Sequence, residues 1–148
     1  MKPISLQGTW VIKAPRLEIY NIVTDFENAP KYFPKVAHSL KITKREGNLL
    51  KIDAQSKTFG LTFNVKMKTE LLPPKGFKSI NESALAVEDE SFLMEEVSGG
   101  TKISYLNKVT IKNNLLKPFS RLIIGKPALR FWEKLYINRL KEMTEKKS

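Results

Sequence analysis

Few side chains in this sequence are fit for chemistry, and most of the usual constellations are missing. One histidine and no cysteine exclude multi-histidine zinc sites, thiolate metal sites, disulfides and Cys–His nucleophiles. Gly125-Lys126 lacks the upstream glycine of a phosphate-binding loop. Asn81-Glu82-Ser83 has the form of a glycosylation sequon, which is without meaning in a cytosolic chain. No acid–base pair stands out at a fixed spacing, and neither a metal nor a cofactor is expected. Four polar residues nevertheless fall on apolar faces. His38 shares parity with Val36 and Leu40. Tyr105 and Asn107 share the inward face of the last strand. A buried Asn left unpaired costs roughly 1–3 kcal/mol, so either the fold or a ligand with water must satisfy it. Arg139 lies within the apolar stripe of a long helix. There it can snorkel, pair with a carboxylate such as Asp25, or stand at a cavity mouth.

That helix organises the elements that must position these groups. From Pro127 on, steps of 100° put Ala128, Leu129, Trp132, Leu135, Tyr136, Leu140 and Met143 on one stripe. Arg130, Lys134, Lys141 and Thr144 fall opposite. About twenty residues make a rod of roughly 30 Å, and so broad an aromatic stripe calls for a large concave surface. The preceding chain supplies alternating strands. Ile4, Leu6, Trp10 and Ile12 mark the first. A short helix over 15–25 opens at Pro15, and a stiff bend over 27–33 is set by Pro30 and Pro34. Six strands follow. They are marked by Val36 to Ile42, Leu50 to Ala54, Leu61 to Leu71, residues 77–87 with Phe77, Ile80, Leu85 and Val87, then Phe92 with Met94, and Ile103 to Ile111. Gly47, Gly76 and Gly99 lie in the turns between strands. Short connections make the strands an antiparallel meander. The reading is α+β, a single domain over 1–148, with no linker, repeat or low-complexity segment.

Composition restricts the partners. The chain has 148 residues, enough for a real core, and 41 % are apolar. Neither a signal peptide nor a membrane span is visible, so the expected location is the cytoplasm. The net charge of +11 comes from 26 basic and 15 acidic residues and favours polyanionic neighbours: nucleic acid, the ribosome or anionic lipid. Six acids and no base occupy Glu82 to Glu96, a strip that a pure nucleic-acid binder does not need. Aromatics do not interleave with the basic residues as base-stacking surfaces require.

The first strand, Pro15 with Tyr20, Val23 and Asp25, and the run Pro30-Lys31-Tyr32-Phe33-Pro34 resemble the opening of START-like proteins. These belong to the helix-grip superfamily that also holds birch-pollen-allergen-like proteins and polyketide cyclases. Asp25 followed by Pro30 to Pro34, with Arg139 late in a long helix, is most similar to the coenzyme Q-binding, ribosome-associated-toxin and polyketide cyclase-like branch. Ala29 departs from it, standing where that branch often carries an aromatic. The resemblance implies a seven-stranded antiparallel sheet wrapped around a long C-terminal helix, with two short helices between strands 1 and 2. It also implies a cavity for an apolar ligand: a lipid, isoprenoid, quinone or polyketide. The inward parities name the expected lining as Phe63, Val65, Met67, Tyr105, Asn107, Trp132, Leu135 and Tyr136, with His38 and Arg139 as further candidates. The same faces would equally serve a packed core.

One segment suggests how such a ligand would be delivered. Leu115, Leu116, Phe119, Leu122, Ile123 and Ile124 crowd together among Lys112, Lys117, Arg121 and Lys126. Apolar side chains ringed by cations suit an anionic membrane surface, so Leu116, Lys117, Phe119, Arg121 and Lys126 are the expected docking edge of a protein peripheral to the membrane. Leu122, Ile123 and Ile124 would otherwise begin the packing of the long helix. The expected function is binding, transport or chaperoning of a small hydrophobic molecule. An RNA- or ribosome-associated role is the alternative, and a polyketide cyclase-like enzyme the third.

Overall fold

The computed structural model describes residues 3–58, 61–112 and 126–145. Seven strands form one antiparallel sheet: β1 (Ile4–Ile12), β2 (Ala37–Glu46), β3 (Leu49–Thr58), β4 (Leu61–Leu72), β5 (Gly76–Glu82), β6 (Ala86–Val97) and β7 (Gly100–Ile111). Their order is β1-β7-β6-β5-β4-β3-β2, the expected meander with β1 added beside β7. Helix α1 (Arg16–Val23), a 3-10 turn (Phe26–Asn28) and α2 (Ala29–Tyr32) lie between β1 and β2. The C-terminal helix runs as α3 (Lys126–Trp132), a π-helical turn (Glu133–Ile137) and α4 (Asn138–Thr144). The edge expected at residues 115–126, including Leu116, Lys117, Phe119 and Arg121, lies outside the described residues except for the backbone of Lys126, which opens α3.

Alternation makes the sheet two-faced. On β4, Phe63, Val65, Met67, Thr69 and Leu71 point inward, and Thr62, Asn64, Lys66, Lys68 and Glu70 are exposed. On β7, Thr101, Ile103, Tyr105, Asn107 and Val109 are buried. The helix closes over this inward face. Ile137 and Leu140 have no exposed surface and join Ile12, Ile19, Ile52 and Ile103 in the core. Each such side chain contributes about 1.5–3 kcal/mol by leaving water. Two carboxylates pin the helix along β1: Glu133 accepts from the Trp10 indole N–H, and Glu145 accepts from the Lys13 backbone N–H at 2.9 Å.

Three local features differ from the sequence reading. On β5 the inward residues are Phe77, Ser79 and Asn81, and Ile80 is 44 % exposed. The strand stops at Glu82, and Leu85 and Val87 lie past the turn, where the Ser83 hydroxyl accepts from the N–H groups of Leu85 and Ala86. On β2 a bulge between Ala37 and Ser39 makes His38 the extra residue. A bulged residue leaves the alternation, and His38 is exposed rather than aligned with Leu40. In the C-terminal helix the π-helical turn holds one residue more than an α-turn. It rotates the apolar stripe, so Ile137 and Thr144, neither on the straight-helix stripe, are both buried. Thr144 donates its hydroxyl hydrogen to the Leu140 carbonyl at 2.7 Å.

Candidate functional site

Strand register assembles a polar belt in the middle of the inward face. Pairing sets Thr69 beside Ser79, Ser79 beside Glu90, and Glu90 beside Asn107. The adjacent row is Met67, Asn81, Glu88 and Val109. Partners across antiparallel strands share a face, so both rows look toward the helix. The side chains then bond in series. The Thr69 and Ser79 hydroxyls lie 2.8 Å apart, and Ser79 donates to Asn81 Oδ1 at 2.6 Å. Asn81 Nδ2 donates to Glu90 Oε1 at 3.1 Å, and the Tyr105 hydroxyl donates to Glu90 Oε2 at 2.5 Å. Asn107 Nδ2 donates to Glu88 Oε1 at 2.7 Å. Asn107 Oδ1 is buried with no partner among the described residues.

Aromatic rings stand over the belt. Tyr105 stacks on Trp132 with centroids 4.2 Å apart, Trp132 stacks on Tyr136 at 4.8 Å, and Phe33 stacks on Tyr136 at 4.0 Å. Trp10 meets Trp132 at 5.7 Å in a tilted arrangement. Gly8 makes this possible: it pairs with Tyr105, and a Cβ there would stand 2.5 Å from the Trp10 ring.

The electrostatics follow from burial. Glu88 is pushed up to about 7, first by desolvation and then by the Glu90 charge, with the Asn107 amide opposing. Desolvation also raises Glu90, against hydrogen bonds from Tyr105 and Asn81. Tyr105 is held well above the usual phenol range by burial, then by the charge and hydrogen bond of Glu90. Burial and the Glu90 charge raise Tyr136 as well. Two carboxylates two residues apart thus have unequal surroundings: Glu90 accepts two hydrogen bonds and Glu88 one.

The expected lining divides into three groups. Tyr105, Asn107, Trp132 and Tyr136 belong to this cluster. Phe63, Val65 and Met67 extend it along β4, and Leu135 is half-buried on the helix. Arg139 lies elsewhere. Its Nε donates to the Tyr32 carbonyl at 3.0 Å and its Nη1 lies 3.5 Å from Glu142. It does not pair with Asp25, whose carboxylate accepts instead from Asn28 Nδ2 and the Tyr32 hydroxyl. His38 sits outside on its bulge. Glu88, Glu90, Ser79, Asn81 and Trp10 were missed as site residues. The signal for the glutamates was present: the parity of Phe92 and Met94, carried backwards, points Glu90 and Glu88 inward.

The inward face is incompletely covered. Phe63, Val65, Met67, Glu88, Glu90, Trp132 and Tyr136 all point inward yet remain only half-buried, whereas packed interiors leave few voids. A groove of about 760 Å³ also opens where β4 outruns β5. Its walls are mostly outward-facing residues, among them Lys41, Asp53, Asn64, Lys66 and Glu82, and only Ala54 and Val65 come from the inward face.

Residues 12–135 match the family described as polyketide cyclase / dehydrase and lipid transport. The chain belongs to that family, within the START-like superfamily of helix-grip proteins. No curated protein matches it in sequence. Among solved structures it is similar to a protein of Thermus thermophilus, at 17 % identity over 94 % of this chain and 95 % of that one, with a TM-score of 0.79. The ZhuI aromatase/cyclase of Streptomyces sp. R1128 superposes with a TM-score of 0.80 at 9 % identity, covering 96 % and 93 % of the two chains. A START superfamily protein of Mycobacterium smegmatis gives 0.74 at 15 % identity, covering 95 % and 97 %. At such identities the likeness is one of fold. These comparisons give no support to an RNA, ribosome or membrane partner. Among the described residues no helix is long and apolar enough to cross a membrane.

Proposed function

We propose that this chain binds a small hydrophobic molecule between the inward face of β4–β7 and the C-terminal helix, and shelters or carries it. The half-burial of residues that point inward carries the reading. Phe63, Val65, Met67, Trp132 and Tyr136 present apolar surface that neither sheet nor helix fills. A ligand lying there would regain the contacts that a packed core makes. Extraction and mass spectrometry of purified protein test it. The expected result is one apolar compound near stoichiometry; protein that carries none and takes up no apolar dye would refute it.

Acid–base chemistry on the bound molecule is the second reading, favoured by two inward carboxylates with unequal surroundings. Such environments separate a proton donor from an acceptor. Exchange of the α-hydrogens of a bound apolar ketone with deuterated solvent, lost in Glu88→Gln, supports catalysis. Absence of exchange in a ketone shown to be bound removes it.

A further inference from the structure

We propose that the polar end of this cavity recognises a protonated nitrogen, so that the ligand is a hydrophobic primary or secondary amine. This rests on the cavity-binding reading and adds the headgroup. Among the described residues the polar end of the cavity leaves several acceptor positions open. The Tyr105 hydroxyl and one hydrogen each of the Asn81 and Asn107 amides already point at carboxylates. Each of the two amides keeps a second hydrogen, and the acceptors that remain are the free lone pairs of Glu88 and Glu90, together with Asn107 Oδ1. That oxygen belongs to a residue only 4 % exposed and has no partner among the described residues. A ligand that satisfies Asn107 Oδ1 must therefore bring an N–H or O–H donor.

Charge decides between them. Among the described residues no Lys or Arg occupies an inward position of β1 or of β4–β7. Lys112 pairs with Glu82, and Arg139 binds the Tyr32 carbonyl. The two glutamates, about 7 Å apart along the strand, thus share a desolvated region with no counter-ion among the described residues. Such a pair is held by taking up a proton or by receiving a cation, and the burial that pushes Glu88 up to about 7 favours the first. An ammonium group supplies the second. It can donate to Asn107 Oδ1 and to both carboxylates, with its apolar body lying against the Tyr105–Trp132–Tyr136 stack. A fatty acid would add a third carboxylate beside the pair. Among the described residues the titratable groups facing the pair are Tyr105 and Tyr136, with Glu133 near the Trp10 side; both tyrosines stay neutral at physiological pH because burial raises them.

Calorimetric titration of the whole chain with 2-naphthylmethylamine, 2-naphthalenemethanol and 2-naphthylacetate, three probes sharing one flat body, tests the inference. Near pH 8 the amine should bind about tenfold or more tightly than the alcohol, and the carboxylate most weakly. Its affinity should fall up to about tenfold toward pH 6 as Glu88 takes up its proton. Glu88→Gln and Glu90→Gln should each remove the preference for the amine, and Glu95→Gln, an exposed change on the same strand, should not. If the alcohol or carboxylate binds as well as the amine, or the preference survives both inward substitutions, the amine inference is wrong and the cavity stands. If an apolar dye binds but none of the three probes does, the same conclusion holds. If neither dye nor probes bind, both readings fall.

Discussion

Glu88 and Glu90 stand two residues apart on β6 and face the same way, yet different partners hold them. Asn107 Nδ2 donates to Glu88 at 2.7 Å, whereas Tyr105 and Asn81 donate to Glu90 at 2.5 and 3.1 Å. The unequal hydrogen bonding favours charge on Glu90 and leaves Glu88 near its titration point. Sheet and helix set the shape of the inward face, and this pair gives it its polarity.

The first expected outcome concerns pH. The folded-state value of Glu88 is raised from 4.5 to about 7. Between those values the native state holds a proton that the unfolded chain has released. Stability from this group is therefore greatest at low pH and declines as pH rises through about 7, by about 3 kcal/mol in all. Glu88→Gln keeps an acceptor for the Asn107 amide and removes the charge. Melts of both proteins near pH 6 and pH 8 should show the variant gaining on the wild type as pH rises; a constant difference would mean that Glu88 titrates normally.

Trp132 should be structural as well as cavity-lining, because Tyr105 and Tyr136 stack on its ring at 4.2 and 4.8 Å. Trp132→Ala should lower stability by about 3–5 kcal/mol in urea unfolding, and Trp132→Phe by much less. A loss under about 1 kcal/mol for the alanine variant would show that the stack contributes little.

Much of the fold was legible because it rests on period-two alternation and on short turns. Phe63, Val65 and Met67, for example, needed only parity to be placed on the inward face. What escaped depends on departures from period or on interior charge. His38 left its face because of a bulge, and Ile137 and Thr144 turned inward because of the π-helical turn. Glu88 and Glu90 enter the sequence reading only as part of the acidic strip Glu82 to Glu96, and charged residues are seldom fully buried. Their parity with Phe92 was the stronger signal. Arg139 meets the Tyr32 carbonyl rather than Asp25, because a helix stripe shows which side a residue faces and not which neighbouring element meets it.

Arg139 closes the C-terminal end of α2 through its bond to the Tyr32 carbonyl. Arg139→Met keeps most of the aliphatic stem and removes the donor. The change should lower stability by about 1 kcal/mol, the side chain being partly exposed, and leave apolar dye affinity unchanged. A tenfold loss of dye affinity with an intact fold would return Arg139 to the cavity.

Gly8 provides the space that Trp10 needs to reach Glu133. In Gly8→Ala the indole must move, because the added carbon would stand 2.5 Å from it. A destabilisation of about 1–3 kcal/mol with a shifted tryptophan emission is expected. An unchanged melt and spectrum would contradict this placement of Trp10.

The most direct test of the central claim is fluorescence titration of an apolar dye into wild type and Val65→Trp. Val65 faces inward from β4, is half-buried and borders the groove. An indole there would occupy ligand space without altering the outer surface. The account expects saturable binding to wild type and at least about a tenfold loss in a variant that keeps its fold, since the added ring takes the volume the dye requires. Equal affinity in the two folded proteins would place the dye elsewhere and contradict a ligand cavity between sheet and helix.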